Sequence, residues 1–479
     1  MDRFFHVTEK GSTIRTEIMA GITTFMTMAY IIALNPNLLT GFGAEGQDLW
    51  NGVFLATCIA SAIGMFAMAF LANKPFALAP GMGLNSFFAV IAGNVAAMLN
   101  TDYTSAFQAV LCIILVEGIV FLLLSVFNIR DKIVHAIPLG VRLGISPAIG
   151  LMLMNIGLGS NVGIYAEGNG FTTPFYVMRD FFGALTPSVL RANMGDTGYA
   201  TMILTVVTMF AGLFAIVAMS KKNVKGSVLY GMLIASVIYW AGEAIFLHTN
   251  PFASLATASF VPPFADMAKT TLFHFNFAGF VQIGWFTAVT LIITFCIIDM
   301  FDTIGTLVGT ASRAGMVDQD GNMPNMKEAL LSDAIGTVVG ACTGTSTVTT
   351  FVESASGVEA GGRTGLTAAT TGVLFLLATI FSPLFLTIPS FATAPALIIV
   401  GFYMMGSAIK IDFNDPSEGI PAFLTVLAMP TAYSISEGIA IGVISWTIIN
   451  VVTGKAKEKK ISPLMYVLTV LFILKYVFL

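Results

Sequence analysis

Residues 344–365 read GTSTVTTFVESASGVEAGGRTG, and the reading of that stretch decides the fold. It holds eight hydroxyl side chains, five glycines, two glutamates and one arginine, yet long apolar runs precede and follow it. Non-helical backbone at membrane depth survives only when buried in protein or facing a cavity, because lipid offers no hydrogen-bond partner. The stretch therefore lies in water or lines something inside the bilayer, and the second alternative makes it a candidate binding site. The alternation Thr347-Val348-Thr349-Thr350-Phe351 predicts an extended strand. Glu353 or Ser354 is then placed to cap a following helix.

The rest of the chain supplies the bilayer context. Of 479 residues, 56% are hydrophobic and 10% charged, against about 25% charged in a soluble protein. This composition predicts an all-α polytopic membrane protein without a sizeable soluble domain. Spans are expected near residues 17–39, 53–72, 84–98, 105–127, 134–158, 199–219, 226–247, 282–308, 328–343, 353–360, 366–387, 391–409, 419–431 and 434–452, fourteen in all. A further apolar run at 462–479 either spans or lies in the interface. Lys74, then Arg130, Lys132 and Arg142, then Lys221, Lys222 and Lys225, and finally Lys455, Lys457, Lys459 and Lys460 all fall on one side under the positive-inside rule. That side is the cytoplasm, and the N-terminus shares it. The insertions at 159–198 and 249–281 are expected outside. The opening MDRFFHVTEKGSTIRTE lacks the apolar core and cleavage site of a signal peptide, so the first span is expected to drive insertion. Cys58, Cys112, Cys296 and Cys342 stand singly and read as buried small side chains.

Landmarks recur along the chain. Ser61-Ala62-Ile63-Gly64 precedes a glycine-rich half-span, and Asp333-Ala334-Ile335-Gly336 precedes the opening stretch; Ala136-Ile137-Pro138 and Thr387-Ile388-Pro389 follow in the same order. An odd number of spans separates the copies, so they face opposite ways, the plan of inverted-repeat secondary transporters. The expected division is 1–248 as a first seven-helix repeat, 249–281 as an extracellular connection, 282–452 as a second repeat, and 453–479 as a basic linker with the extra apolar segment.

Each copy carries a broken span. In the first, Pro75 and Pro80 keep the chain extended up to Gly81, and Asn85 or Ser86 is the expected cap of the helix beyond. With the second, two helix N-termini meet in mid-membrane and offer N–H donors and positive dipole ends. Close glycine-mediated helix packing is the alternative, but it has no need of Glu353. The eighth span holds Asp299 and Asp302 three residues apart, on one helical face. A charge there costs about 3 kcal/mol even on lenient scales, so both are candidate proton carriers, with bracing of a neighbouring helix as the other reading of Asp299. Residues 318–322 (DQDGN) resemble a calcium loop faintly and read as a turn. His6, His135, His248 and His274 are near loops or span ends and read as no one's ligands. Arg363 is expected to pair with Glu359 or a loop carboxylate, or to mark topology. No metal, cofactor or nucleic-acid partner is implied.

TTFMTMAYI in the first span, ALAPGMGLNSFF in the third, DMFDTIGTLVG in the eighth, TSTVTTFVESASGVEAGGRTGLTA in the tenth and SEGIAIG near the end closely resemble the azaguanine-resistance (AzgA-like) purine permeases, a branch of the nucleobase and ascorbate transporter superfamily. The resemblance covers nearly the whole chain. It implies two inverted seven-helix repeats with discontinuous spans 3 and 10, a core domain of spans 1–4 and 8–11 and a gate domain of spans 5–7 and 12–14. It also implies proton-coupled purine uptake at the cell membrane by an elevator-like movement, often in a homodimer. By position it makes Asp302 and Glu353 purine ligands and Asn85 the polar third-span residue of the site. The branch has aspartate where other members have glutamate in the eighth span, and a residue is inserted in SASGV.

A flat neutral heterocycle suits such a site. Carboxylates take ring N–H groups while Phe87, Phe88 or Phe351 covers a face and Thr350 lies alongside. Asp302 or Glu353, with Asp299 behind, is the expected proton carrier. An anion transporter or channel of the same architecture is the main alternative, and both carboxylates argue against it. A metal-dependent membrane enzyme built on Asp299 and Asp302 lacks a second carboxylate-rich motif.

Overall fold

The computed structural model describes residues 2–41, 45–127, 138–158, 187–252, 255, 259–313, 316, 323–432, 435–459 and 461–478. In chain order its principal elements are α1 (Ile14–Met28), α2 (Ile31–Leu39), α3 (Gln47–Ala67), β1 (Leu78–Pro80), α4 (Met82–Leu99), α5 (Tyr103–Val126), α6 (Leu139–Ile156), α7 (Pro187–Lys221) and α8 (Ser227–Gly242). They continue with α9 (Trp285–Arg313), α10 (Met326–Thr343), β2 (Val348–Thr350), α11 (Ser354–Glu359), α12 (Gly365–Ala378), α13 (Ala394–Met404), α14 (Pro416–Ala432), α15 (Ile435–Val452) and α16 (Pro463–Phe478). Among the described residues each expected span coincides with helix. Among the described residues nine helical segments are long and apolar enough to cross a bilayer, while α9, α15 and α16 contribute shorter apolar stretches and α11 is a six-residue half-helix. The apolar run at 462–479 forms a helix, α16, whose Thr469 hydroxyl donates to that of Thr447 on α15 at 2.9 Å. His135, Arg130, Lys132, the 318–322 turn and most of the 159–198 insertion lie outside the described residues.

The chain divides into two compact units, residues 1–128 with 200–396, and 129–199 with 397–479. The first is built around β1 and β2. Both strands are wholly buried and pair antiparallel, with Leu78 opposite Thr350, Ala79 opposite Thr349 and Pro80 opposite Val348. The ladder extends at both ends: Phe351 N–H donates to Ala77 O at 2.9 Å and Gly81 N–H to Thr347 O at 3.0 Å. Extended backbone this deep is tolerated because each strand supplies the other's partners.

Beneath the strands α3 and α10 approach closely, and the repeat landmarks explain why. A Cβ on Gly336 would stand 2.9 Å from Val348 Cγ1 and 3.6 Å from the Cα of Gly64. A Cβ on Gly64 would meet Leu78 and Val348 at 3.4 Å. The final glycines of SAIG and DAIG therefore face each other under the paired strands.

The helix starts differ from the expectation. α4 begins at Met82 with Gly81 in the cap position and no side-chain cap, so Asn85 and Ser86 lie inside its first turns. Pro80 cannot extend a helix backwards, and the Gly81–Thr347 bond fixes the start earlier than cap preference alone suggests. Glu353 occupies the cap position of α11, but its side chain does not cap the helix.

In the second unit α6, α14 and α15 pack through small residues. The backbones of Gly150 and Gly401 touch, leaving no room for a Cβ on either. Glu418 accepts from Gly140 N–H at 3.2 Å, from Trp446 Nε1 at 3.1 Å and from Lys459 Nζ at 3.1 Å.

Candidate functional site

The site grows from the two corners where strand becomes helix. At the first, β1 turns into α4 at Gly81. A Cβ there would lie 2.7 Å from Thr349 Cγ2 and 3.3 Å from Asp302 Oδ2, so the Asp302 carboxylate of α9 rests against bare backbone. The N–H groups of Met82, Gly83 and Leu84 follow at once; a helix start leaves such groups without intrahelical acceptors, and no side chain caps this one. At the second corner β2 turns into α11 at Glu353. Here Glu353 Oε1 accepts the Tyr30 hydroxyl at 2.7 Å, and Ser354 Oγ accepts Ala77 N–H at 2.9 Å. Each corner is thus met by a side chain from the leading span of the other repeat, Tyr30 from the first and Asp302 from the eighth.

Asp302 and Glu353 are half-buried, whereas Asn85, Asp299, Thr349 and Thr350 are buried. Both corner residues therefore keep some surface, unlike the polar residues around them. Asp302 is within Coulombic reach of both Asp299 and Glu353.

Behind them β2 is suspended from acidic side chains on three helices. Thr347 Oγ1 donates to Glu117 Oε2 of α5 at 2.8 Å, and Thr350 Oγ1 to Asp333 Oδ1 of α10 at 3.0 Å. Thr349 Oγ1 lies 2.7 Å from Thr303 Oγ1, which donates to Asp299 Oδ1 at 3.0 Å. That Thr303 bond leaves its oxygen as acceptor, so the chain of donors runs Thr349 to Thr303 to Asp299. Asp299 both braces β2 and connects to the corner occupied by Asp302.

The remaining sequence candidates divide by position. Asn85 Nδ2 donates to Pro80 O at 3.2 Å, and its Oδ1 accepts from Ser346 Oγ, so its amide ties the two extended segments together. Phe87 is fully buried with its ring 4.6 Å from that of Phe295, and Phe88 packs on Phe107 at 4.9 Å. Phe351 is buried beside Glu353. Arg363 forms neither expected carboxylate pair with its guanidinium: Nη1 donates to Val358 O and Gly362 O, both at 2.7 Å, while its backbone N–H meets Glu17 Oε1 at 2.9 Å. Among the described residues no cluster of three or more His, Cys, Asp or Glu is arranged to hold a metal.

Sequence reasoning passed over Tyr30, Glu117 and Asp333. Glu117 had a usable signal, as the lone acidic residue of the 24-residue apolar α5. Asp333 was noted only as a repeat landmark. Tyr30 sits among apolar residues and reads as core.

Paired half-helices over crossed strands, one from each inverted copy, define a membrane transporter core. The chain belongs to the Permease family (Xan_ur_permease), which it matches over residues 15–441. It is 36% identical to the adenine permease AdeP of Escherichia coli, over 100% of this chain and 96% of that one. It is 38% identical to the guanine/hypoxanthine permease PbuG of Bacillus subtilis, over 100% of both. In fold it resembles the transmembrane domain of the cyanobacterium bicarbonate transporter BicA, with a TM-score of 0.60 at 14% identity over 90% of this chain and 97% of that one.

Proposed function

We propose that this chain imports purine nucleobases together with protons. One observation carries the reading: Asp302 and Glu353 stand half-buried at two strand-to-helix corners whose surrounding polar groups are buried. A carboxylate accepts ring N–H groups, and the uncapped first turn of α4 donates to ring nitrogens or exocyclic oxygens. A flat solute with donors and acceptors around its rim satisfies both. Phe351 covers one face, Thr350 and Asn85 fix the floor, and Phe87 backs the site from within. The purine class is supported by relatives named adenine permease and guanine/hypoxanthine permease.

The proton resides on Asp302 or Glu353, with Asp299 reached through Thr349 and Thr303. Alternating access follows an elevator scheme in which spans 1–4 and 8–11 carry the site past spans 5–7 and 12–14, within the repeats 1–248 and 282–452. The working form is a homodimer in the cell membrane with its N-terminus in the cytoplasm. An anion would meet two carboxylates at the site, which disfavours that alternative.

The test is uptake of radiolabelled adenine, hypoxanthine, guanine and uracil in cells lacking their own nucleobase permeases, with and without a protonophore. Saturable purine uptake that collapses with the protonophore is expected, and Glu353→Gln and Asp302→Asn abolish it while insertion persists. Full uptake by both variants, or no uptake of any base by the inserted wild type, overturns the reading.

A further inference from the structure

Tyr30 lies where the first span breaks. α1 ends at Met28 and α2 begins at Ile31, and Tyr30 occupies the cap position of α2 with helical φ −57° and ψ −28°. Its side chain is fully buried. The phenol donates to Glu353 Oε1 at 2.7 Å, a length suited to a hydroxyl meeting a carboxylate oxygen. Being buried, Tyr30 acts on a bound solute through Glu353.

The contact is built into the packing of the whole first span. Glu17, at the start of α1, accepts Arg363 N–H at 2.9 Å, Thr364 N–H at 3.2 Å and the Thr367 hydroxyl at 2.5 Å. Midway, Gly357 of α11 lies against Thr24, and a Cβ on it would also stand 3.0 Å from Ala20 O. A Cβ on Gly21 would be 2.7 Å from Thr367 O of α12. The first span is therefore fastened to the segment around α11 at several levels, and the Tyr30 hydroxyl arrives at Glu353 from a fixed frame. A carboxylate with one oxygen held in this way has its rotation about χ3 restricted, which favours one direction for Oε2.

We propose that Tyr30 is the positioning residue that sets the solute-facing geometry of Glu353 and thereby the affinity of the purine site; this rests on the purine-permease reading above. Tyr30→Phe keeps the ring and its packing but frees the carboxylate to rotate. The ordering that Tyr30 supplies in advance must then be met by the solute on binding, which weakens affinity without altering the path of transport.

The experiment is a kinetic comparison of wild type, Tyr30→Phe and Tyr103→Phe, with amounts in the membrane equalised. Tyr103 is a matched control: its hydroxyl donates to Leu39 O at 2.8 Å in the same unit, away from both corners. Tyr30→Phe is expected to raise KM for the transported purine tenfold or more, with maximal rate per molecule within about twofold of wild type. Tyr103→Phe leaves KM unchanged. Purine-induced thermal stabilisation of the purified proteins gives a second measure of affinity that needs no transport. Wild-type purine uptake with unchanged KM and unchanged stabilisation in Tyr30→Phe overturns this inference alone. A wild type that neither takes up nor is stabilised by any purine overturns the functional reading and this inference with it. Equal KM rises in both variants overturn it as well, because the effect would then be general to lost phenols.

Discussion

Gly81→Ala tests the first corner most directly, because backbone preference and packing pull in opposite directions. Gly81 has φ −68° and ψ 128°, a conformation any residue adopts. Replacing a glycine in such a conformation stabilises by about 0.4–1 kcal/mol through the unfolded chain. Against that, the new methyl would stand 2.7 Å from Thr349 Cγ2, 3.2 Å from Leu84 Cδ1 and 3.3 Å from Asp302 Oδ2. Carbon–carbon contact is optimal at about 3.5–4.0 Å, so Thr349 must yield by nearly an ångström while Thr303 holds its hydroxyl. Overpacking of this kind costs about 1–3 kcal/mol, and the packing loss outweighs the entropic gain. If the net loss of about 1–2 kcal/mol falls on solute binding, KM rises roughly 5- to 30-fold. Thr349→Ser removes the methyl nearest the new side chain and keeps the hydroxyl, so the double variant should recover most of the loss. The assay is initial-rate uptake across a concentration series, paired with melting of the purified protein. A Gly81→Ala protein with wild-type KM and a raised melting temperature, or a double variant no better than the single, would refute the packing argument.

Other outcomes follow from the same geometry. Thr347→Val leaves Glu117 Oε2 without the hydroxyl it accepts, and losing one partner of a buried carboxylate costs about 1–3 kcal/mol, seen as a lower melting temperature than for Thr347→Ser. Gly150→Ala drives a methyl into the backbone of Gly401 and should destabilise by about 1–3 kcal/mol, measured by the same melting assay. Outside the membrane, the Ser417 hydroxyl and then Lys459 hold the Asp415 carboxyl below its ordinary range. A depressed native value gives stability that is present above the unfolded value of about 3.9 and fades as pH falls through the native one. Asp415→Asn should therefore melt slightly below wild type at pH 7, by no more than a surface pair is worth, and the gap should close as the pH falls below about 4.

Much of the site could be read from sequence because burying charge in a bilayer is costly wherever it occurs. Asp302 and Glu353 stood out on that ground without any partner being known, and both come to the strand-to-helix corners. What could not be read were consequences of distant pairing. Leu78 and Thr350 carry no local sign that they face one another. Asn85 has the chemistry of a cap, yet the helix starts earlier because a bond from Gly81 to Thr347 fixes it there. Phe87 has the chemistry of a stacking surface, yet Phe295 covers it. Tyr30 was hidden for the opposite reason: a phenol in an apolar span looks like packing until its acceptor, in the other repeat, is known.

The pairing of β1 with β2 also bears on how the protein is made. One strand belongs to the early part of the chain and its partner to a much later part. At synthesis rates of about 5–20 residues per second, roughly ten to sixty seconds separate the emergence of Leu78 from that of Val348. For that interval the Ala77 carbonyl and the Gly81 N–H lack the partners they hold in the finished molecule. A nascent first half is therefore a chain with an open backbone edge at membrane depth, the kind of surface that attracts foreign strands. Truncation before Val348 makes that condition permanent, so nonsense fragments of this protein should be met by membrane quality control as unfinished folds and not as smaller transporters.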